Sequence, residues 1–243
     1  FETDLVNRKI VDKKYIQKIE DDFERNILPI MDQSLKADPP LSTEVDELNL
    51  VYKKSSYKKN LKPKGKKINK RFVDAIKDCL FDKMDSDSKV LIMGQDIAEY
   101  GGVFKVTEGF AEKFGVERVR NTPICESAII EVAMGLSICN TKSIVELQFS
   151  DFISSGFNPV VNYLAKSYYR WKQNADIVLR MPCGAGVGAG PFHSQTNEAW
   201  FTKTPGLIVL YPSFPYDAKG LLKSSIRDPN PVIFLENEIL YSH

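Results

Sequence analysis

The chain has 243 residues, 43% of them hydrophobic, enough for one α/β core of roughly 150 to 200 residues and an appendage. Its 33 basic residues stand against 32 acidic ones, so the overall charge gives no ground for a nucleic-acid or membrane-surface partner. No apolar run reaches the ~18 to 20 residues that cross a bilayer, and the start lacks the basic-then-apolar layout of a signal peptide. Four cysteines (Cys79, Cys125, Cys139 and Cys183) are scattered with no C-x-x-C pair, which leads us to expect reduced thiols in a cytoplasmic, bacterial setting. A chain that begins at Phe1 without Met is expected to be a fragment.

From Tyr15 onward, Ile16, Ile19, Phe23, Ile27 and Ile30 recur at steps of three and four between charged residues, which predicts an amphipathic helix. Ala37-Asp38-Pro39-Pro40 ends it, because proline removes a donor and restricts its predecessor, and the acidic stretch Glu44-Val45-Asp46-Glu47 follows. Residues 1–52 are thus expected to form a helical arm. Between Lys53 and Lys67 stand eight lysines and no acid, a composition that cannot offset the entropy of ordering, so 53–67 reads as a solvated linker. A nucleic-acid or acidic-lipid patch would need arginine and more aromatic residues than Tyr52 and Tyr57.

Residues 68–243 alternate between the two periodicities. Phe72, Val73, Ile76 and Leu80 make a helical stripe, and Val90-Leu91-Ile92-Met93, closed by Gly94, makes a strand. Further strands are expected over 143–149, 176–181, 207–211 and 232–235, with helices near 127–136, 157–171 and 216–226. Near-continuous apolar strands alternating with helices predict a doubly wound α/β domain, a mostly parallel sheet with helices on both faces. Such sheets carry their chemistry at the carboxyl ends of the strands.

Three loops after strands are unusual. Asn121-Thr122-Pro123-Ile124-Cys125-Glu126 brings a carboxylate to the mouth of an apolar helix; the alternative to catalysis is an acid favoured there by the helix dipole. Gln148-Phe149-Ser150-Asp151-Phe152 ends a strand with two aromatics three apart, a pattern that reads equally as core. The third loop is the glycine-rich run 183–190, followed by Pro191-Phe192-His193-Ser194-Gln195. It lacks the third glycine of a dinucleotide fingerprint, and Pro191 stands where the helix should continue. It reads instead as an open loop carrying His193. Cys125 or Cys183 paired with His193 would make a thiol nucleophile, but nothing in the sequence brings them together.

In this order the loops resemble the beta subunit of the decarboxylating component of pyruvate and branched-chain 2-oxoacid dehydrogenase complexes. The resemblance runs from about Ile68 to the end. Its anchors are 94–98 with 101–104, 121–126, 146–152, 193–195, Pro205-Gly206, 217–221 and 235–238. Upstream, the amphipathic helix, the double proline and residues 45–52 look like the carboxyl-terminal tail of the matching alpha subunit, which implies a fused alpha-beta parent. Leu147 to Phe152 looks closer to the branched-chain subgroup.

The resemblance implies a thiamine-diphosphate-binding fold of the pyrimidine type. Glu126 is similar to the glutamate that hydrogen-bonds the pyrimidine ring nitrogen, where a carboxyl in a dry interface can share a proton with a weak base. Phe152 matches the aromatic that stacks on that ring, and Gln148 a polar residue facing it. His193 resembles the histidine that stabilises the substrate-derived intermediate and assists acyl transfer to a lipoyl domain. Asp228 and Asn230 match a loop that holds a structural potassium ion, although as plain physics they form only a turn. The Gly-Asp-Gly and asparagine pattern that holds magnesium and the diphosphate is missing from the sequence. An alpha-type half is therefore the implied partner, alongside self-association into a dimer or heterotetramer-like assembly, and turnover by this piece alone is not expected. A non-catalytic assembly module of the same fold and a thiol hydrolase are the competing readings.

Overall fold

The structure, a computed structural model, describes residues 1–56 and 68–243, so most of the expected linker, 57–67, lies outside the described residues. The chain divides into two compact units, Phe1–Thr43 and Glu44–His243. In the first, helices α1 (Glu2–Asn7), α2 (Lys13–Asn26) and α3 (Leu28–Lys36) follow one another. Asp12 caps α2 by accepting from the Tyr15 amide at 2.7 Å. The single amphipathic helix expected here is split at Ile27. Pro29, in the first turn of α3, has no N–H with which to continue α2, and a first turn is where proline is tolerated.

The second unit opens with α4 (Glu44–Val51), so the expected arm of residues 1–52 is divided between the two units. Tyr52 and Lys53 then dock by hydrogen bonds, from Tyr52 Oη to the Leu207 carbonyl at 3.1 Å and from the Lys53 amide to Asn230 Oδ1 at 2.8 Å. The sheet system follows as α5 (Phe72–Ser86), β1 (Val90–Gly94), α6 (Phe110–Phe114), β2 (Val119–Asn121), α7 (Glu126–Ile138) and β3 (Lys142–Glu146). After β3 come α8 (Ser167–Trp171), β4 (Ile177–Cys183), α9 (Glu198–Phe201), β5 (Ile208–Leu210), α10 (Pro215–Ser225) and β6 (Val232–Asn237). The helix expected over 157–171 is a π-helical segment, Pro159–Leu164, followed by α8.

The six strands are all parallel, in the order β2-β1-β3-β4-β6-β5. Because the side-chain period is two, Val90 and Ile92 of β1 face one core with Phe72, Ile76 and Leu80 of α5 and Leu222 of α10. Leu91 and Met93 face the other, with Ile129, Ile130 and Ala133 of α7. Each such aliphatic side chain contributes roughly 1.5–3 kcal/mol when fully buried, so the two-sided core holds the strand ends where they are. From β1 the chain steps outward to β2, then crosses back through α7 to β3 on the other side of β1. Loops leaving β1 and β3 therefore diverge, and the crevice at their carboxyl ends is where such sheets bind ligands.

Candidate active site

A ring of buried charge underlies that crevice. Arg180 of β4 is fully buried, its Nε and Nη2 each 2.7 Å from a carboxylate oxygen of Glu236 in β6 and its Nη1 2.5 Å from Glu146 Oε2 at the end of β3. Tyr241 donates to Glu236 Oε2 at 2.6 Å. Burial opposes the guanidinium charge, yet the carboxylates of Glu236 and Glu146 outweigh it and hold Arg180 above its ordinary range. Burial raises Glu146, with Arg180 opposing. The bidentate fork fixes the carboxyl ends of three strands at one level.

Glu126 is the first residue of α7 and only 8% exposed. Its partners are neutral: Gln95 Nε2, just beyond β1, donates to Oε1 at 3.2 Å, and Ser155 Oγ lies 2.9 Å from Oε2. The same Ser155 oxygen is 3.0 Å from the Phe152 carbonyl, so one hydroxyl joins the acid to the turn bearing the aromatic. Gly156 permits this approach, because a Cβ there would sit 2.6 Å from Ile130 Cδ1. Among the described residues no cation pairs with Glu126.

Phe152 lies in the 3₁₀ turn Ser150–Ser154. Its ring centroid is 5.4 Å from that of His193, and Phe149 lies 4.9 Å from His193 and 5.9 Å from Phe152, all edge-to-face. The imidazole, 67 residues after Glu126 in the chain, thus packs against two phenyl rings that also touch each other. Gln148 Nε2 reaches Asp96 Oδ2 at 3.2 Å, spanning the diverging loops after β3 and β1. Asp96 adopts a φ of 55°, left-handed backbone that a non-glycine residue seldom takes. The glycine run is a 3₁₀ turn, Ala185–Val187, followed by left-handed glycines at Gly188 and Gly190, and no helix grows from it.

The structure brings Glu126, Phe152, Gln148 and His193 to one crevice, but Asp228 and Asn230 precede β6 at the other end of the sheet. There Asn230 donates from its amide and from Nδ2 to Asp228 Oδ1, at 3.0 and 2.8 Å, while its own Oδ1 receives the Lys53 amide. Lys142 Nζ donates to the Asp228 carbonyl at 2.9 Å. Asp228 Oδ1, Asn230 Oδ1 and the Asp228 carbonyl thus each already accept from a neighbouring donor. Among the described residues no cluster of three or more His, Cys, Asp or Glu is placed to hold a metal. The thiol reading also fails at Cys183, whose thiol is pushed up to about 12 by burial, and neither Cys183 nor Cys125 bonds to His193 among the described residues.

Sequence reasoning missed Gln95, Ser155 and Asp151, the last accepting from the amides of Ser194 and Gln195. Neutral partners and backbone acceptors leave no periodic mark. Glu146, Arg180 and Glu236, charges within largely apolar strands, were the signal for the buried network alone.

Residues 69–243 match the family model "Transketolase, pyrimidine binding domain". The chain is 44% identical over 172 residues to the 2-oxoisovalerate dehydrogenase subunit beta of Bacillus subtilis (strain 168), a match covering 70% of this chain and 53% of that one. It is 42% identical to the pyruvate dehydrogenase E1 component subunit beta-1, mitochondrial, of Arabidopsis thaliana, covering 69% and 47%. The chain thus spans about half the length of these curated relatives. Among solved structures, a split-gene transketolase described as an inactive beta4 tetramer superposes with a TM-score of 0.56 at 18% identity, covering 69% of this chain and 51% of the other. That likeness bears on the fold alone. The expected beta-subunit relatives are found, and the chain belongs to the transketolase pyrimidine-binding domain family.

Proposed function

We propose that this chain supplies the cofactor-activating half-site of a thiamine-diphosphate-dependent 2-oxoacid dehydrogenase acting on pyruvate or a branched-chain 2-oxo acid. The observation that carries it is Glu126: a buried carboxyl with only neutral partners, one hydroxyl away from Phe152 and, through that ring, beside His193. A structural acid at a helix start would face water or a cation. This one keeps unused lone pairs in a crevice, which suits a proton shared with a ring nitrogen.

The residues fit thiamine diphosphate as its pyrimidine end requires. Glu126 would hold the ring nitrogen, Phe152 would stack on the ring, and Gln148 would close the side toward Asp96. When bound, the cofactor supplies the carbon nucleophile that adds to a 2-oxo acid and takes up the electrons left by departing carbon dioxide. Ser155 serves either state of Glu126, donating to the carboxylate or turning its hydrogen to the Phe152 carbonyl and accepting from the acid. His193 offers a proton donor or acceptor at the mouth of the crevice, near the place a lipoyl group must reach.

The diphosphate and magnesium would come from an alpha-type half. The assembly would be a dimer or heterotetramer that presents the crevice to a lipoyl domain. Residues 1–43, with α4, are the proposed remnant of that half, joined through the lysine-rich stretch. Four unbridged cysteines suit a reducing compartment such as the bacterial cytoplasm. A structural potassium ion at the loop of Asp228 and Asn230 belongs to the same proposal.

The test is to co-express the chain's full-length parent with an alpha-type partner and follow reduction of an artificial electron acceptor. Turnover with pyruvate or a branched-chain 2-oxo acid, lost when thiamine diphosphate is omitted, is expected. A complex that binds the cofactor and decarboxylates none of these acids would overturn the proposal.

A further inference from the structure

His193 stands on a loop rich in glycine and packs against Phe149 and Phe152, contacts too weak by themselves to order such a loop. Edge-to-face pairs are each worth little, and a loop with left-handed glycines at Gly184, Gly188 and Gly190 has many conformations to lose. What ties it down is Asp151. This carboxylate is 6% exposed and lies in the 3₁₀ turn that also carries Phe152. Its Oδ1 receives the amide of Ser194 at 3.2 Å and the amide of Gln195 at 3.2 Å. Those are the two residues immediately after the histidine. Ser150 adds a third tie through Oγ, 3.3 Å from the Gln195 carbonyl, and Gly184 N donates to the same carbonyl at 3.1 Å.

Adjacent amides converging on one carboxylate oxygen form a small anion-binding nest, and hydrogen bonds to a charged acceptor are the stronger kind. Resting on the function proposed above, we infer that Asp151 is a positioning residue for His193: it fixes the backbone just past the histidine so that the imidazole packs against both Phe149 and Phe152. Phe152 and Asp151 are neighbours on one short turn, so the ring proposed to stack on the cofactor and the clamp on the histidine move together. Occupancy of the crevice would therefore set the histidine loop, and loosening the loop would disturb the ring.

The experiment uses the assembled complex and two readouts. Hydrogen exchange of the Ser194 and Gln195 amides should speed up on the order of 10- to 100-fold in Asp151→Ala, the loss of a charge-assisted tie, and stay near the parent rate in Asp151→Asn, whose side-chain oxygen still accepts. If Asp151→Ala does not assemble, Asp151→Ser, with one oxygen on the same Cβ, should give an intermediate rate. In turnover, Asp151→Ala should cost no more than His193→Ala, and the double variant should fall no lower than His193→Ala alone, because one residue acts through the other. A merely structural role would make the two losses multiply. Unchanged exchange in Asp151→Ala, Asn as loose as Ala, or multiplying losses would each overturn the inference. Should the parent complex turn over no 2-oxo acid, the functional reading fails by itself, and the exchange rates still decide whether the clamp exists.

Discussion

Ser155 Oγ lies 2.9 Å from Glu126 Oε2, and through this contact the buried acid of α7 is joined to the turn that carries Phe152. Two elements far apart in the chain thus share one hydroxyl. Replacing it with Ser155→Ala leaves the carboxyl with Gln95 as its remaining neutral partner. Loss of a hydrogen bond to a buried carboxyl costs about 1.5–3 kcal/mol, so melting temperature should fall by several degrees and turnover of the assembled complex roughly 10- to 100-fold. Steady-state rates beside a thermal melt separate the two effects; unaltered turnover would detach Ser155 from the site.

A different outcome is expected at Arg180. Arg180→Met leaves Glu146 and Glu236 buried without their shared cation, which should cost about 3–5 kcal/mol of stability in urea unfolding. Adding Glu146→Gln and Glu236→Gln to that variant should restore much of the loss, since the stranded charges are then gone. A single substitution within about 1 kcal/mol of the parent would show that the network does not hold the strand ends.

Glu238 gives a pH dependence. Both of its carboxylate oxygens are buried and, among the described residues, without a hydrogen-bond partner, and burial, reinforced by Asp151, pushes it from the ordinary 4.5 up to about 7. A raised carboxyl favours the neutral form in the fold, so its stability is fully present below about 4.5 and is lost as pH rises through about 7. Glu238→Gln stays neutral throughout and should gain on the parent between pH 5 and pH 8. The gain should be roughly 2–6 °C in melting temperature for ~1–2 kcal/mol after allowing for solvent screening. A difference that is the same at both pH values would contradict this origin.

Much of the sheet could be read from the chain because most of its strands are short, largely buried apolar runs, such as Val90–Gly94. β2 escaped, being three residues long with only Val119 buried. Ile27 divides the first amphipathic stretch because Pro29 outweighs a periodicity that carries straight past it. At the site, Glu126, Phe152 and His193 stood out as an acid at a helix mouth, an aromatic after a strand and a lone internal histidine. Gln95, Asp151 and Ser155 did not, because their contribution is a hydrogen bond across a fold, and no local spacing encodes that. Nor does the loop motif around Asp228 and Asn230 encode which neighbouring side chain, here Lys142, donates to the Asp228 carbonyl.

The most direct measurement is the rate of acceptor reduction by the assembled complex carrying Glu126→Ala, with bound thiamine diphosphate quantified in the same preparation. A group that shares a proton in the reaction contributes about 10²- to 10⁴-fold, so a loss of that size is expected with the complex still assembled. Turnover equal to the parent's, in a complex shown to contain the cofactor, would contradict the role given to Glu126 and with it the proposed half-site.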